Sequence, residues 1–271
     1  MKRLATAAVA LPVLIASIVY PPLHFVFVLL AVAATVLGLY EFWFLARRRG
    51  AKPDVVVGYA GASALLAAFY FNQLDYLLLI LPALTIATLV AEMLRGAPFE
   101  KMIQSSGSTV LGVLYVVLLG GHLVALRMGF AERPGLSTDL LGFFFLVLMG
   151  SDTGAYYTGR AVGRHKLAPN ISPGKTWEGA VGGMLASLLM AVAAHYWFFP
   201  ELSLRAALPL AAVMNVLGVV GDLTESALKR SADAKDAASF LPGHGGFLDR
   251  LDSLLFNAPL IYYFARLYFS V

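Results

Sequence analysis

The chain has 271 residues, of which 59% are hydrophobic and only 13% charged, and its formal net charge is +4. Soluble domains are about a quarter charged, so the composition indicates a membrane protein. Cysteine is absent, which excludes disulfides, thiolate metal sites and cysteine catalysis. The net charge is small, and no nucleic-acid partner is expected.

Nine apolar stretches are long enough to cross a bilayer. They lie near 4–20, 23–46, 55–71, 76–94, 108–126, 139–158, 177–199, 206–228 and 253–270. The first could be a signal peptide, but no small-x-small cleavage site follows it, and Pro21-Pro22 predicts a tight turn into the next span. The sequence therefore predicts an all-α polytopic membrane protein with about nine transmembrane helices.

The distribution of Lys and Arg predicts a cytoplasmic N-terminus and an outside C-terminus. In that orientation all but four of the 20 Lys and Arg residues lie in cytoplasmic segments, the four being Arg127, Arg133, Arg205 and Arg266. Two long polar connections, 159–176 and 229–252, are then cytoplasmic. We divide the chain into an N-terminal region, 1–140, with about five spans and no evident role, and a C-terminal region, 141–271, which is expected to be catalytic.

The most highly charged stretch runs from Ser226 to Asp252. It contains cations that can hold phosphates, carboxylates that can hold a divalent metal, and glycines that let a ligand approach the backbone. These charged residues are Lys229, Arg230, Lys235, Arg250, Asp233, Asp236, Asp249 and Asp252. His244, in a Gly-rich turn, could donate to a phosphate or only make a structural hydrogen bond. Such a charged segment beside apolar helices is costly unless it has a function.

Further acids lie at the cytoplasmic ends of predicted spans: Asp152, Glu178, Asp222 and Glu225. Asp222, Glu225 and Lys229 have i, i+3, i+7 spacing and so share one helix face. One pocket could collect these acids together with Asp249, although interfacial charges that only reach into water would follow the same pattern. Glu41, inside the second span, is isolated, and the sequence assigns it no role.

A second motif covers Ser172 to Gly179. Ser172 suits a helix N-cap and Pro173 the first helical position, which would place Lys175 and Thr176 in the first turn. Free N–H groups at a helix N-terminus, with a lysine and hydroxyls, favour phosphate binding. An ordinary capped helix would explain Ser172 and Pro173 but not Lys175, and both interpretations stay open.

The spacing of the charged stretch carries a family resemblance. Ser226-x-Leu228-Lys229-Arg230, then Lys235-Asp236, then Pro242-Gly243-His244-Gly245-Gly246-Phe247-Leu248-Asp249-Arg250-Leu251-Asp252 resembles the signature of the CDP-diacylglycerol synthases, or phosphatidate cytidylyltransferases. Segments 152–160, 172–179 and 221–226 are also similar to that family. The resemblance covers residues 150–256 at motif level, whereas the first 140 residues match only as apolar helices.

The resemblance implies that CTP and phosphatidic acid react to give CDP-diacylglycerol and pyrophosphate. It also implies Mg²⁺, with a monovalent cation such as K⁺ as a second ion, a homodimer among membrane lipids, and a site at the cytoplasmic face of the cell inner membrane. The implied metal ligands are Asp222 and Asp249, which with Lys229 and Lys235 form the expected catalytic set. The expected substrate-binding positions are Ser172, Lys175, Thr176, Arg230, His244, Gly245, Gly246 and Arg250. The acids expected around the metal or reaching it through water are Asp152, Glu225, Asp236 and Asp252.

The residues suit that chemistry. The phosphate of phosphatidic acid is already anionic at pH 7, so the reaction needs no strong base. Its difficulty is the approach of one anion to another, which positioning and charge neutralisation relieve. Two alternatives remain: a transferase acting on another lipid phosphate, and an ion or metabolite transporter whose intramembrane acids form the path. The second is disfavoured because the acids cluster at one face and no inverted repeat is visible.

Overall fold

We describe a computed structural model of the chain over residues 12–97, 99–130, 133–234 and 246–269. Residues 12–19 are helical, and the longer helices that follow are α1 His24–Arg48, α2 Val55–Tyr70, α3 Leu77–Arg95, α4 Met102–Gly112, α5 Leu119–Met128, α6 Pro134–Val162, α7 Trp177–Trp197, α8 Leu204–Ser231 and α9 Leu248–Tyr268. A π-helical segment, Val113–Leu118, joins α4 to α5. Strands β1 Lys166–Ala168 and β2 Ser172–Thr176 form an antiparallel hairpin between α6 and α7.

The helical membrane architecture predicted from the sequence is confirmed. The predicted spans from 23–46 onward coincide with helix over most of their length, although 4–20 begins and 253–270 ends outside the described residues. Within the described ranges, six helical segments are long and apolar enough to cross a membrane, and α2 is a shorter apolar helix. The six are His24–Arg48, Leu74–Arg95, Phe99–Met128, Gly135–Val162, Trp177–Trp197 and Leu204–Ser231. The count of nine and the orientation of the termini stay predictions.

Several helix ends follow from local sequence. Asp54 is the N-cap of α2, and its carboxylate accepts the backbone N–H groups of Val56 and Val57 at 3.1 and 3.0 Å. Such a cap satisfies donors that have no partner within the helix. Gly96 ends α3 with a φ of +83°, a backbone conformation that glycine adopts without steric cost.

The chain forms two compact units. Unit one comprises Met1–Ala131 and Ser231–Leu251, and unit two comprises Glu132–Arg230 and Asp252–Val271. Unit one therefore includes the charged stretch from Ser231 to Leu251 together with the N-terminal helices. Which region performs the chemistry stays a prediction, as does the division at residue 140.

Unit one has an aromatic and aliphatic core on α1, α2 and the π-helical segment. Trp43, Leu65, Phe69 and Val116 are fully buried. The indole N–H of Trp43 donates to the carbonyl oxygen of Ser108 at 3.1 Å, so the one polar atom of this ring is satisfied.

Unit two is built on close contacts between helices. At Gly183 of α7, an added Cβ would lie 3.0 Å from the carbonyl oxygen of Ser151 on α6, so glycine permits this approach. Asn215 of α8 donates to the Ser151 hydroxyl at 2.6 Å. A Cβ added at Gly221 of α8 would collide with the backbone of Asp252 on α9. These contacts pack α6, α7 and α8 closely together and hold α8 against α9 at Asp252.

The hairpin corrects one prediction from the sequence. Ser172 is not a helix N-cap, because Ser172–Thr176 is a strand and α7 begins only at Trp177. The N-cap is Thr176, whose hydroxyl oxygen accepts the backbone N–H of Gly179 at 3.1 Å. Pairing with β1 extends Ser172 to Thr176, and that non-local pairing overrides the local capping signal.

Candidate functional site

Unit two contains an ion pair between two predicted site residues. The ammonium of Lys175, at the end of β2, lies 2.5 Å from Oδ2 of Asp222 on α8. The lysine side chain is 23% exposed and the aspartate 39%, so both remain open to a ligand. Two segments that the sequence linked only by family resemblance therefore meet in space.

Two further acids interact with this pair. The charge of Asp222 repels the carboxylates of Asp152 on α6 and Asp252 on α9, while the ammonium of Lys175 attracts both. Asp252 is half-buried, and its Oδ1 accepts the backbone N–H of Ser253 at 2.6 Å. We call Asp152, Lys175, Asp222 and Asp252 the acid–lysine cluster. It holds more negative than positive charge.

The donor chemistry of the acid–lysine cluster fits Mg²⁺. Carboxylate oxygens are the protein ligands that this ion prefers. Among the described residues, no three Asp, Glu or His side chains are already arranged to hold a metal ion. Magnesium commonly takes only one or two carboxylates and completes its shell with water and substrate phosphates, so a ready-made cage is not required. The expected pairing of Asp222 with Asp249 on one metal stays a prediction.

The predicted cations at the end of α8 are engaged within unit two. Lys229 lies 2.7 Å from Oε2 of Glu225, one turn earlier on the helix face that the sequence predicted. Glu225 is only 1% exposed, so this ion pair is largely removed from water. Arg230 donates from Nε to the carbonyl oxygen of Ile171 at 3.5 Å and thereby reaches the hairpin turn.

The hairpin is fastened to α7 by a contact that the sequence analysis missed. Glu178, in the first turn of α7, lies 2.6 Å from Nδ1 of His165. The same carboxylate accepts the backbone N–H groups of Arg164 and His165 at 3.1 and 3.2 Å. An acid at the start of a helix that follows a basic connection was the available signal. This fastening helps to place Lys175, which lies between these residues in the chain.

In unit one, the N-terminus of α9 carries the last part of the charged stretch. Oδ2 of Asp249 accepts the backbone N–H of Gly246 at 2.7 Å. The backbone N–H of Leu248 donates to Oε2 of Glu41 at 2.7 Å, and Glu41 is only 1% exposed. No role was assigned to Glu41 from the sequence, although an acid inside an apolar span is itself a functional signal. Arg250 is exposed.

Four predicted site residues cannot be placed. Lys235, Asp236, His244 and Gly245 lie outside the residues that the structure describes. The expected contacts of Lys235, His244 and Gly245 with substrate, and the expected place of Asp236 around the metal, stay predictions from the sequence.

Comparison with known proteins gives one consistent result. Residues 1–268 match the family described as the Cytidylyltransferase family. A phosphatidate cytidylyltransferase of Haemophilus influenzae is 39% identical over 139 residues, which cover 50% of this chain and 48% of that protein. A protein of the same name from Staphylococcus haemolyticus is 44% identical over 44% of this chain and 46% of its own length. Another from Staphylococcus aureus is 43% identical over 49% of this chain and 52% of its own length. The chain thus aligns with about half the length of these curated relatives.

Proposed function

The chain belongs to the cytidylyltransferase family, and from that premise we propose that it transfers the cytidylyl group of CTP to phosphatidic acid. A phosphate oxygen of the lipid attacks the α-phosphorus of CTP. The bond between the α-phosphorus and the β-phosphate oxygen breaks, and pyrophosphate leaves. The products are CDP-diacylglycerol and pyrophosphate.

The acid–lysine cluster is the observation that carries this proposal. The reaction brings two anionic phosphates together, and electrostatic stabilisation is the main means of catalysing such a transfer. Lys175 supplies a positive charge at the edge of the cluster, 2.5 Å from Asp222. Because the lysine side chain is partly exposed, its ammonium can exchange this carboxylate for a phosphate without unfolding the hairpin.

Asp222 would hold Mg²⁺, and its neighbours Asp152 and Asp252 would lie around the ion or reach it through water. When bound, this ion would neutralise charge on the triphosphate and on the departing pyrophosphate. Asp249 is proposed as a second ligand of the metal, on the family resemblance, and a monovalent cation such as K⁺ is proposed as a second ion. Both the Asp249 ligand and the second ion are proposed from the family resemblance and not from distances in the structure.

The basic residues would orient the phosphates. Arg230 reaches the hairpin turn, so its guanidinium lies near the strand that carries Lys175. Lys229 is held by the buried Glu225, which fixes the direction of its ammonium. We also propose that the remaining residues expected to bind substrate do so: Ser172, Thr176, Lys235, His244, Gly245, Gly246 and Arg250.

The membrane setting suits a reaction between a lipid and a soluble nucleotide. Phosphatidic acid would enter sideways from the bilayer, while CTP would arrive from the cytoplasm. We place the acid–lysine cluster at the cytoplasmic face of the cell inner membrane, because Lys and Arg concentrate in the connections assigned to that side. A homodimer is proposed on the family resemblance alone.

The test is pyrophosphate release by the purified protein in detergent, with CTP, short-chain phosphatidic acid and Mg²⁺. Each component is omitted in turn, and Asp222→Asn is run alongside. We expect release only with all three, and a loss of at least 100-fold in the variant, since removal of one electrostatic element costs about 10²–10³-fold. The exposed Arg47→Ala variant serves as the control with unchanged activity.

Full activity of Asp222→Asn would remove this carboxylate from the metal site. Release with another lipid phosphate but not with phosphatidic acid would keep the reaction class and refute the acceptor. Failure with every lipid acceptor and every nucleoside triphosphate, in a folded sample, would refute the proposal as a whole.

A further inference from the structure

A buried hydrogen bond joins α6 to α8 one residue before Asp152. Nδ2 of Asn215 on α8 donates to the hydroxyl oxygen of Ser151 on α6 at 2.6 Å. Both side chains are buried, and both belong to segments that are long and apolar enough to cross a membrane. Little water reaches such a layer, so breaking the bond would leave a buried polar group without this partner.

Helix α7 meets this bond at a glycine. A Cβ added at Gly183 would lie 3.0 Å from Nδ2 of Asn215 and 3.0 Å from the carbonyl oxygen of Ser151. Neighbouring residues on the other two helices are apolar, since Leu148, one turn before Ser151, and Met214, next to Asn215, are both buried. We call Ser151, Gly183 and Asn215 the polar junction of α6, α7 and α8.

The elements that meet at the polar junction also carry the acid–lysine cluster. Asp152 follows Ser151 directly on α6, and Lys175 lies in the strand that leads into α7. Asp222 lies seven residues after Asn215 on α8. Seven residues make two helical turns to within about 20°, so the two side chains share a face of α8, about 10 Å apart along its axis. The rotation of α8 that the junction fixes at Asn215 is therefore the rotation that directs Asp222.

We propose that Ser151 and Asn215 are positioning residues, whose hydrogen bond fixes the direction of the Asp222 carboxylate relative to Asp152. The charges of Asp152 and Asp222 interact, so the two carboxylates are neighbours in the cluster. Ser151 and Asn215 touch neither the substrate nor the metal, and they act through the acids that their helices carry. The inference rests on the proposed function for the identity of the metal, Mg²⁺.

A hydrogen bond can fix the rotation of a helix, whereas an apolar contact has no preferred direction. Side chains end about 5–6 Å from the axis of a helix, so a rotation of about 10° moves the end of one by about 1 Å. Mg²⁺ needs near-ideal octahedral geometry at about 2.0–2.1 Å, so a shift of that size displaces a carboxylate ligand. Because hydrogen bonds between membrane helices contribute little net stability, we expect the effect in metal affinity rather than in folding.

The test measures metal binding by the full-length protein in detergent, without turnover. The probe is Mn²⁺, which like Mg²⁺ prefers octahedral oxygen ligands, followed by electron paramagnetic resonance. The variants are Ser151→Ala, Asn215→Leu, the double variant and Asp222→Asn, each measured well below its melting temperature. Ser187→Ala is the matched control, since Ser187 is also buried but its hydroxyl donates within α7, to the carbonyl oxygen of Met184 at 2.8 Å.

We expect Ser151→Ala and Asn215→Leu each to weaken Mn²⁺ binding about tenfold, the lower end of the effect seen when residues around a metal ligand are removed. The Mg²⁺ concentration that gives half-maximal pyrophosphate release should rise by a similar factor. The double variant should bind Mn²⁺ about as tightly as either single variant, because both substitutions remove the same bond. Ser187→Ala should match the wild type, and Asp222→Asn should bind Mn²⁺ more weakly than any other variant.

Wild-type Mn²⁺ affinity in both Ser151→Ala and Asn215→Leu would overturn the inference. A similar loss in Ser187→Ala would also overturn it, because any buried hydroxyl would then matter as much. So would an unchanged affinity in Asp222→Asn, which would place the measured ion elsewhere. If Asn215→Leu does not fold, Ser151→Ala, the smaller deletion, decides.

The same measurements separate this inference from the proposed function. A wild type that releases no pyrophosphate, together with the expected order of Mn²⁺ affinities, would refute the proposed cytidylyl transfer and leave the positioning role supported. A folded wild type that binds no Mn²⁺ would overturn the positioning role, whether or not pyrophosphate is released.

Discussion

Replacing Gly221 with alanine is expected to force α8 and α9 apart next to Asp222 and Asp252. The added methyl would lie within 3.0 Å of the carbonyl oxygen of Asp252, closer than real Cβ atoms come, and 3.2 Å from its carbonyl carbon. Both neighbours are backbone atoms, so no side chain can turn away. Restoring ordinary contact requires a separation of about 1 Å, which we expect to lower kcat about 100-fold and to cost about 1–3 kcal/mol of stability.

The matched control lies one turn earlier on the same helix. A Cβ at Gly218 would meet its nearest neighbours, the side chains of Asn257 and Ser253, at 3.6 Å, which is ordinary contact. Gly218→Ala should therefore be neutral or stabilising by up to about 1 kcal/mol. The assays are pyrophosphate release and thermal melting in detergent. Wild-type turnover by Gly221→Ala would show that the contact between α8 and α9 does not hold the acid–lysine cluster in place.

Further substitutions test individual contacts. Thr176→Val removes the N-cap of α7 and should cost about 1 kcal/mol by thermal melting, whereas Thr176→Ser keeps the hydroxyl and should not. Lys229→Met removes the ion pair with the buried Glu225 and should lower the free energy of unfolding by about 3 kcal/mol. Adding Glu225→Gln should restore part of that loss. Effects of the two substitutions that simply add would contradict the pairing. Lys175→Met should raise KM for CTP at least tenfold, while an unchanged KM would exclude its proposed phosphate contact.

The helical framework was predictable from the sequence because apolar runs of bilayer length admit few other structures. The Glu225–Lys229 pair was also predictable, since i, i+4 spacing on a helix is a local relation. The strand at Ser172–Thr176 was not. Its Ser-Pro beginning suits a helix start, and only the pairing with Lys166–Ala168 makes it extended.

Contacts between distant segments were beyond the reach of local patterns. The bond from Leu248 to Glu41 joins the predicted connection 229–252 to the second predicted span, and no spacing rule connects them. The pairing of Lys175 with Asp222 likewise depends on how the hairpin and α8 pack within unit two. In both cases the sequence marked a costly charge beside the membrane but could not identify its partner.

The most direct test of the central claim follows the phosphorus atoms of CTP. Purified protein is incubated with phosphatidic acid, Mg²⁺ and CTP labelled at either the α- or the γ-phosphate, and the lipid and aqueous products are separated. We expect α-label in a lipid with the mass of CDP-diacylglycerol and γ-label in pyrophosphate. Transfer of γ-label to the lipid would indicate a kinase, and no label in any lipid, from a folded sample, would contradict the proposed cytidylyl transfer.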